Sequence, residues 1–310
     1  MCKDFVSAVS NLSIKLRESL YKIPNDIKKC AQDICIKSNK RVIIFTPNES
    51  FFLGSGGKIS SSDSEIDNFI TSQEDIFDTM KILCNFSICS SQNQIKEGSI
   101  TLKGGHRVGL CGTAVVRDKE VIDISNISSI NLRISREIPG CSEEIFKELG
   151  IDIGGTLIIG GPSSGKTTIL RDISKKISST KKNRRLIKTV IVDERREIAS
   201  VHNGIAQKDI GMCDILNGFP KSEGITRATR VLSPEIIVCD EIESCEEAEK
   251  ITKSLNCGVK IICSAHSSST KEISNSKIIQ TIISSGTINH VVLLNDSKTP
   301  GTVKNIFAVK

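Results

Sequence analysis

The sequence predicts an α/β protein: a domain with a parallel-rich sheet built around a phosphate-binding loop, preceded by a smaller α+β domain. From residue 156 onward short apolar runs, TLIIG, LIKTVIVD, EIIVCD, VKIICSAH and HVVLLN, alternate with helical stretches. Runs without polar alternation fit strands covered on both faces by crossover helices. The first of them leads into GGPSSGKTT, a glycine-rich break that resumes as a helix. Before residue 140 the pattern differs, mixing short helices with glycine-punctuated strand pieces, so the domains are drawn at 1–145 and 146–310.

A chain of 310 residues can bury the cores of two ordinary domains without metal or oligomerisation. Aromatic residues make up 4% and Trp is absent, so the core must be mostly Ile, Leu and Val. The net charge of +6 is modest and dispersed, except in KKISSTKKNRR at 175–185. That run is either a solvated helix end and loop or a patch for an anionic partner. The 12 cysteines are scattered from Cys2 to Cys263 without C-x-x-C pairs, and His106, His202, His266 and His290 do not cluster with them. They read as small hydrophobes and surface thiols in a reducing cytosol rather than disulfides or zinc ligands. No apolar stretch suits a signal peptide or a membrane span, so a cytoplasmic protein is expected, with any membrane association peripheral.

Along the N-terminal domain, Phe5, Val6, Leu12, Ile14, Leu16 and Leu20 give an interrupted helical pattern ending before Pro24. DICIKSNKRVIIF, 33–45, reads as a hairpin turning at Ser38-Asn39. FFLGSGGKISSSDSE, 51–65, reads as a loop, IDNFI after it has helical spacing, and a helix is predicted over 74–85. The segment 98–124 suggests a curved antiparallel sheet whose glycines mark turns or bulges. SINLRISREI then forms a strand with Leu132 and Ile134 on one face, broken at Pro139-Gly140 before a helix.

The loop in the second half matches G-x-x-x-x-G-K-[ST] at Gly160, Gly165, Lys166 and Thr167. A strand precedes it, and Ile169, Leu170, Ile173 and Ile177 line one face of the helix that follows. Backbone N–H groups of Gly160, Gly161, Pro162 to Ser164, Gly165 and Thr168, so far as they carry one, can turn around phosphate oxygens at a helix N-terminus. Lys166 supplies a mobile cation and Thr167 a hydroxyl for Mg2+.

EIIVCDEIES ends a buried strand in Asp240 and Glu241. Asp240 can hold the magnesium shell, and Glu241 can orient or deprotonate a water attacking the terminal phosphate. A second acid beside the first favours cyclic hydrolysis over a switch; the lesser alternative is that Glu241 simply begins a solvated helix. VIVDERREI places Asp193 and Glu194 at the same sheet edge, with Glu194 supporting the water or the metal shell. His266, at the tip of VKIICSAH, is either a reporter of the terminal phosphate or a structural histidine. Arg227 and Arg230 share a helix face, each a trans-acting arginine or a surface charge.

Taken together, KGGHRVGLCGTAV (103–115), ISNISSINLRISREI (124–138), the phosphate loop, IVDERREIA (191–199), CDILNGFPKSEGI (213–225) and SPEIIVCDEIE (233–243) resemble the stage III sporulation protein AA family of endospore-forming bacteria. The resemblance runs from about residue 33 to 270. It implies a RecA-like ATPase core similar to the traffic ATPases of bacterial secretion systems, which form hexameric rings on the cytoplasmic face of a membrane complex. It further implies ATP as the nucleotide and a channel between mother cell and forespore as the complex, with its membrane proteins as partners. It supports Lys166 and Thr167 at the nucleotide, Asp240 and Glu241 as metal and water-handling acids, and Asp193 and Glu194 as an additional acidic box. Arg230 is the arginine it favours over Arg227, and Arg133 and Arg136 are further candidates to complete the site. His106 and Arg107 lie where related ATPases contact nucleotide or the next subunit. The chain departs from the family at DICIK, 33–37, where arginines are usual.

Two other classes share the loop. A nucleic-acid-dependent RecA-like ATPase would carry a dedicated binding module, for which the stretch between the last strand and Lys310 leaves no room. A small-molecule kinase needs an acceptor pocket and a lid, and the paired acids argue against it.

Overall fold

The computed structural model describes residues 2–63, 67, 69–87, 92–255, 258–267, 272 and 275–309. The chain divides into two compact units, Met1–Arg136 and Glu137–Lys310.

The first unit opens with helices α1 (Lys3–Val9), α2 (Ile14–Tyr21) and α3 (Asn25–Cys30). Phe5, Leu12, Leu16 and Leu20 are fully buried, so the interrupted apolar pattern becomes separate short helices that share one core. The strands are β1 (Asp33–Lys37), β2 (Ile43–Phe45), β3 (Ser50–Leu53), β4 (Ile59–Ser60), β5 (Ser99–Thr101), β6 (Arg107–Arg117) and β7 (Glu120–Arg133). They form a 7-stranded antiparallel sheet in the order β4-β3-β2-β1-β7-β6-β5. The hairpin expected at 33–45 is present, with Asn39 in the left-handed region at its turn. Part of the loop expected at 51–65 is instead strand, because Phe51, Phe52 and Leu53 find partners in β2 and β4. Helix α4 (Gln73–Leu83) matches the predicted 74–85 and begins with a capping box between Ser72 and Asp75. IDNFI falls partly outside the described residues, and Phe69 and Ile70 are not helical. A short helix, α5 (Gln92–Lys96), precedes β5. The β6–β7 hairpin bulges at Gly112, between Cys111 and Thr113, whereas Gly109 pairs in regular register.

Residues 137–145, assigned to the first domain on sequence, belong to the second unit. The reason is local: Asp172 accepts hydrogen bonds from the Gly140 N–H (3.0 Å), the Ser142 N–H (2.9 Å) and the Ser142 hydroxyl (2.5 Å). Ile145 of helix α6 (Glu143–Leu149) joins the core of the second sheet.

That sheet comprises β8 (Thr156–Gly160), β11 (Thr189–Asp193), β12 (Asp214–Asn217), β13 (Ile236–Glu241), β14 (Lys260–His266), β15 (His290–Leu294) and β16 (Val303–Ala308). The order is β12-β11-β13-β14-β8-β15-β16, parallel throughout except for the β15–β16 edge pair. Both faces are covered, which is why the strands read as unbroken apolar runs. Ile158 and Ile191 pack with Ile169, Leu170, Ile173 and Ile177 of α7 (Lys166–Ser179) on one face. Leu157, Ile159, Val190 and Val192 pack on the other against α8 (Lys221–Val231), α9 (Cys245–Leu255) and α10 (Lys277–Ser284). The basic run at 175–185 is the end of α7 followed by an exposed hairpin, β9 (Lys181–Lys182) and β10 (Arg185–Leu186).

Candidate phosphate-binding site

The C-terminal edge of the parallel sheet gathers the chemistry. Gly160 closes β8 and stands opposite His266 of β14, while Glu241 of β13 stands opposite Ser264. Val192 pairs with Cys239, so Asp193 and Asp240 follow at the same level on adjacent strands. β14 thus separates the loop strand from the acid strand, and His266 is exposed at its tip beside the loop.

Gly161, Pro162, Ser163 and Ser164 form the loop, with Ser163 at φ 58° and Gly165 at φ 94°. Gly165 must be glycine twice over, because a Cβ there would also run into the backbone of Pro300 and Gly301. Lys166 begins α7, and Thr167 and Thr168 lie in its first turn, where N–H groups have no acceptor in the helix. The Lys166 ammonium donates to the carbonyls of Gly160 (2.9 Å) and Gly161 (3.1 Å), folded over its own loop. Burial lowers its pKa, against the pull of Glu241 and with a push from Arg195. Those two side chains therefore lie within electrostatic reach of the loop lysine.

Asp240 is 4% exposed and its Oδ1 accepts no hydrogen bond. Oδ2 accepts from the Arg195 N–H at 3.3 Å. Burial pushes the Asp240 carboxyl up to about 6, with Lys221 opposing the rise and Asp193 adding to it. Lys221, at the first position of α8, is buried with its ammonium 3.3 Å from Asp240 Oδ1, 3.4 Å from Glu194 Oε2 and 3.0 Å from Glu247 Oε1. It also donates to the Glu241 carbonyl.

The family model described as sporulation stage III, protein AA matches residues 7–310. This chain belongs to that family. Stage III sporulation protein AA of Bacillus subtilis (strain 168) is 32% identical over 294 residues, spanning 94% of this chain and 91% of that one. The uncharacterized protein ycf45 of Cyanidium caldarium is 31% identical over 149 residues, 46% of this chain and 42% of that one. Among solved structures, the ATPase DotB of Legionella pneumophila superposes with a TM-score of 0.55 at 16% identity, over 87% of this chain and 73% of that one. The pilus retraction motor PilT with bound ADP superposes at 0.51 and 16% identity, over 87% and 76%. At those identities the likeness is one of fold, an α/β fold shared with these ATPases.

The loop residues, Asp240, Glu241, Glu194 and His266 lie at one edge of the sheet. Asp193 does not offer its carboxylate to that edge. It is fully buried and accepts the N–H groups of Glu197 (2.9 Å), Ile198 (3.2 Å) and Ala199 (2.8 Å), so it organises the loop after β11. Burial raises its pKa despite those donors. Arg230 stands near the far end of α8 from Lys221, about 13 Å along the axis at about 1.5 Å per residue, and lines a groove between α8 and α9. It is not brought to the phosphate loop of its own chain. Arg227 beside it pairs with Glu223 at 3.1 Å and lies over the Phe219 ring.

In the first unit, His106 is buried and accepts the Ser135 N–H, Arg133 pairs with Asp33, and Arg136 donates to the Lys28 carbonyl. Sequence reasoning missed Lys221 and Arg195. A lysine reads as surface unless burial is known, and in DERREI the acids drew attention from the arginine between them and Glu243, with which it pairs.

Proposed function

We propose that this chain is a magnesium-dependent ATP hydrolase of the secretion-ATPase type, working as one subunit of a hexameric ring. The observation that carries this reading is the convergence of the phosphate loop with Asp240 and Glu241 on one edge of a parallel sheet. Ligands of open α/β sheets bind outside the carboxyl ends of the strands.

The residues fit a hard divalent cation. Asp240 Oδ1 is a buried carboxylate oxygen that meets only the Lys221 ammonium, at 3.3 Å and without hydrogen-bond geometry, and Thr167 offers a hydroxyl in the first turn of α7. Magnesium, when bound, polarises phosphate oxygens and offsets their charge. The loop N–H groups and the helix N-terminus hold the phosphates. Lys166 exchanges the Gly160 and Gly161 carbonyls for phosphate oxygens, so its ammonium keeps hydrogen-bond acceptors before and after and gains a counter-charge only with the phosphates. Glu241 takes the proton of the attacking water. Glu194 supports that water from β11's end, and His266 senses the terminal phosphate from β14. Arg230, remote from its own loop, serves a neighbouring copy.

Among the described residues no helix is long and apolar enough to cross a membrane. In this reading the ring sits at the cytoplasmic face of a membrane channel between mother cell and forespore, and hydrolysis drives or assembles that channel through its membrane proteins. Lys166→Ala is expected to abolish hydrolysis, and Glu241→Gln to keep ATP binding while slowing turnover by orders of magnitude. Unchanged turnover in Glu241→Gln removes that residue from the mechanism. Sedimentation with and without ATP and magnesium tests the ring, and a strict monomer in both sinks it.

One observation favours a second reading, a nucleic-acid-dependent ATPase. The α8–α9 groove, of about 660 Å³, carries Arg227, Arg230, Lys250 and Lys253. Stimulation by DNA or RNA that falls steeply with salt would support it.

A further inference from the structure

Lys221 is the least exposed lysine among the described residues. Lysine is almost never fully buried unless paired, and this one is 2% exposed. Its ammonium stands among the carboxylates of Asp240, Glu194 and Glu247, which come from the ends of β13 and β11 and from the start of α9. It also donates to the carbonyl of Glu241. Three carboxylates 3.0, 3.3 and 3.4 Å from the ammonium compensate its burial.

Without the ammonium, those carboxylates would converge on one place, with the buried and hydrogen-bond-free Asp240 Oδ1 aimed into it. A convergent set of hard oxygens is what divalent cations take. With the ammonium in place the local charge falls, and any cation approaching Asp240 meets a like charge 3.3 Å from the same oxygen. As they stand around the ammonium, the three carboxylates are spaced for that nitrogen and not for a metal: among the described residues no group of three or more His, Cys, Asp or Glu is arranged to hold one, so a cation taken up in place of Lys221 must draw them closer.

We propose that Lys221 is a built-in counter-cation that keeps this acid cluster from capturing a divalent ion by itself, so that metal enters only with the phosphates of a nucleotide. The second half rests on the ATPase reading; the first does not. Lys221 is also a positioning residue, because its bond to the Glu241 carbonyl fixes the peptide that carries the candidate base. A nucleotide brings its own negative charge to the metal and so tips a balance that the protein alone holds against it.

The test is Mn2+ binding to the full-length protein without nucleotide, followed by the electron paramagnetic resonance signal of free Mn2+. Lys221→Met and Lys221→Gln are expected to bind Mn2+ about ten-fold or more tightly than wild type, while Lys221→Arg stays at the wild-type value. Adding Asp240→Asn to Lys221→Met should abolish the gain. Removing one partner of a buried ion cluster can unfold a protein. Thermal melting therefore runs in parallel: Mn2+ should raise the Tm of Lys221→Met or Lys221→Gln and leave wild type unmoved. A merely structural lysine would lower Tm with no change in the response to Mn2+, which overturns the proposal. Wild-type protein that binds Mn2+ as tightly without nucleotide as with it overturns it too, and needs no variant. Absence of any hydrolysis by wild type would sink the ATPase reading and leave the Mn2+ comparison standing.

Discussion

Gly301 donates its N–H to the carbonyl of Ser164, 2.8 Å away, so the connection between the last two strands is bonded to the phosphate loop. The loop is thus braced from beyond its own strand and helix, by a segment more than a hundred residues later in the chain.

The brace separates two glycine substitutions. In Gly165→Ala the methyl meets the Pro300–Gly301 backbone and the residue stays at positive φ, so one of the two segments must move. Gly301→Ala meets only a van der Waals neighbour, Cys141 Cβ at 3.8 Å, and carries the strain of φ 75° alone. The expected costs are several kcal/mol with loss of nucleotide binding for Gly165→Ala, and about 1–2 kcal/mol with a few-fold weaker nucleotide affinity for Gly301→Ala. Urea unfolding and nucleotide titration measure both. Equal effects would mean that the brace does not constrain the loop.

Asp193 is expected to act on stability rather than on turnover. Its Oδ1 accepts two N–H groups and its Oδ2 accepts the Ala199 N–H. Asp193→Asn turns one of these acceptors into a donor facing a donor, at a cost of about 1–3 kcal/mol. A fall in Tm of about 2–4 °C per kcal/mol would register this, with residual activity tracking the folded fraction. A turnover loss of several orders of magnitude in fully folded Asp193→Asn would make it one of the catalytic acids.

Much of the second unit was legible because parallel strands buried on both faces leave a signature that needs no long-range knowledge. TLIIG, EIIVCD and HVVLLN declare themselves. The edge strands β12 and β16 were not legible, since each has a face or an edge in solvent and carries polar residues: Asp214 and Asn217 in one, Lys304 and Asn305 in the other. The loop and the acids followed from local pattern, but the roles within DER did not. Asp193 turned inward because three N–H groups downstream needed an acceptor, and Lys221 turned inward because acids from three elements surround it. The first depends on how the six residues after β11 fold back, the second on pairing between distant segments. The domain boundary moved for the same reason, through Asp172, whose partners at 140–142 precede it by a whole strand and loop.

Arg230→Ala should leave nucleotide affinity unchanged in dilute, unassembled protein, because Arg230 lies at the other end of α8 from the acid cluster. If it serves a neighbouring copy, turnover at concentrations that favour assembly falls by about 10³-fold or more, the scale on which trans-acting arginines work. Turnover measured against protein concentration distinguishes the cases. A concentration-independent loss would place Arg230 in the site of its own chain, against the geometry.

Asp172 should give stability a defined acid dependence. Burial alone would raise its pKa, but the Ser142 hydroxyl and N–H, the Gly140 N–H and Lys176 outweigh that and hold the carboxyl below its ordinary value of 3.8. A carboxyl depressed in the folded state contributes stability above its unfolded pKa and loses it as pH falls through the folded one. Wild type should therefore lose this contribution progressively below about pH 4. Asp172→Asn cannot ionise, so it should be less stable than wild type at pH 7, with the difference shrinking toward pH 3. Urea unfolding across that range measures the difference. A gap that stays constant with pH would mean that the lost hydrogen bonds, and not the carboxylate charge, hold residues 140–142 to α7.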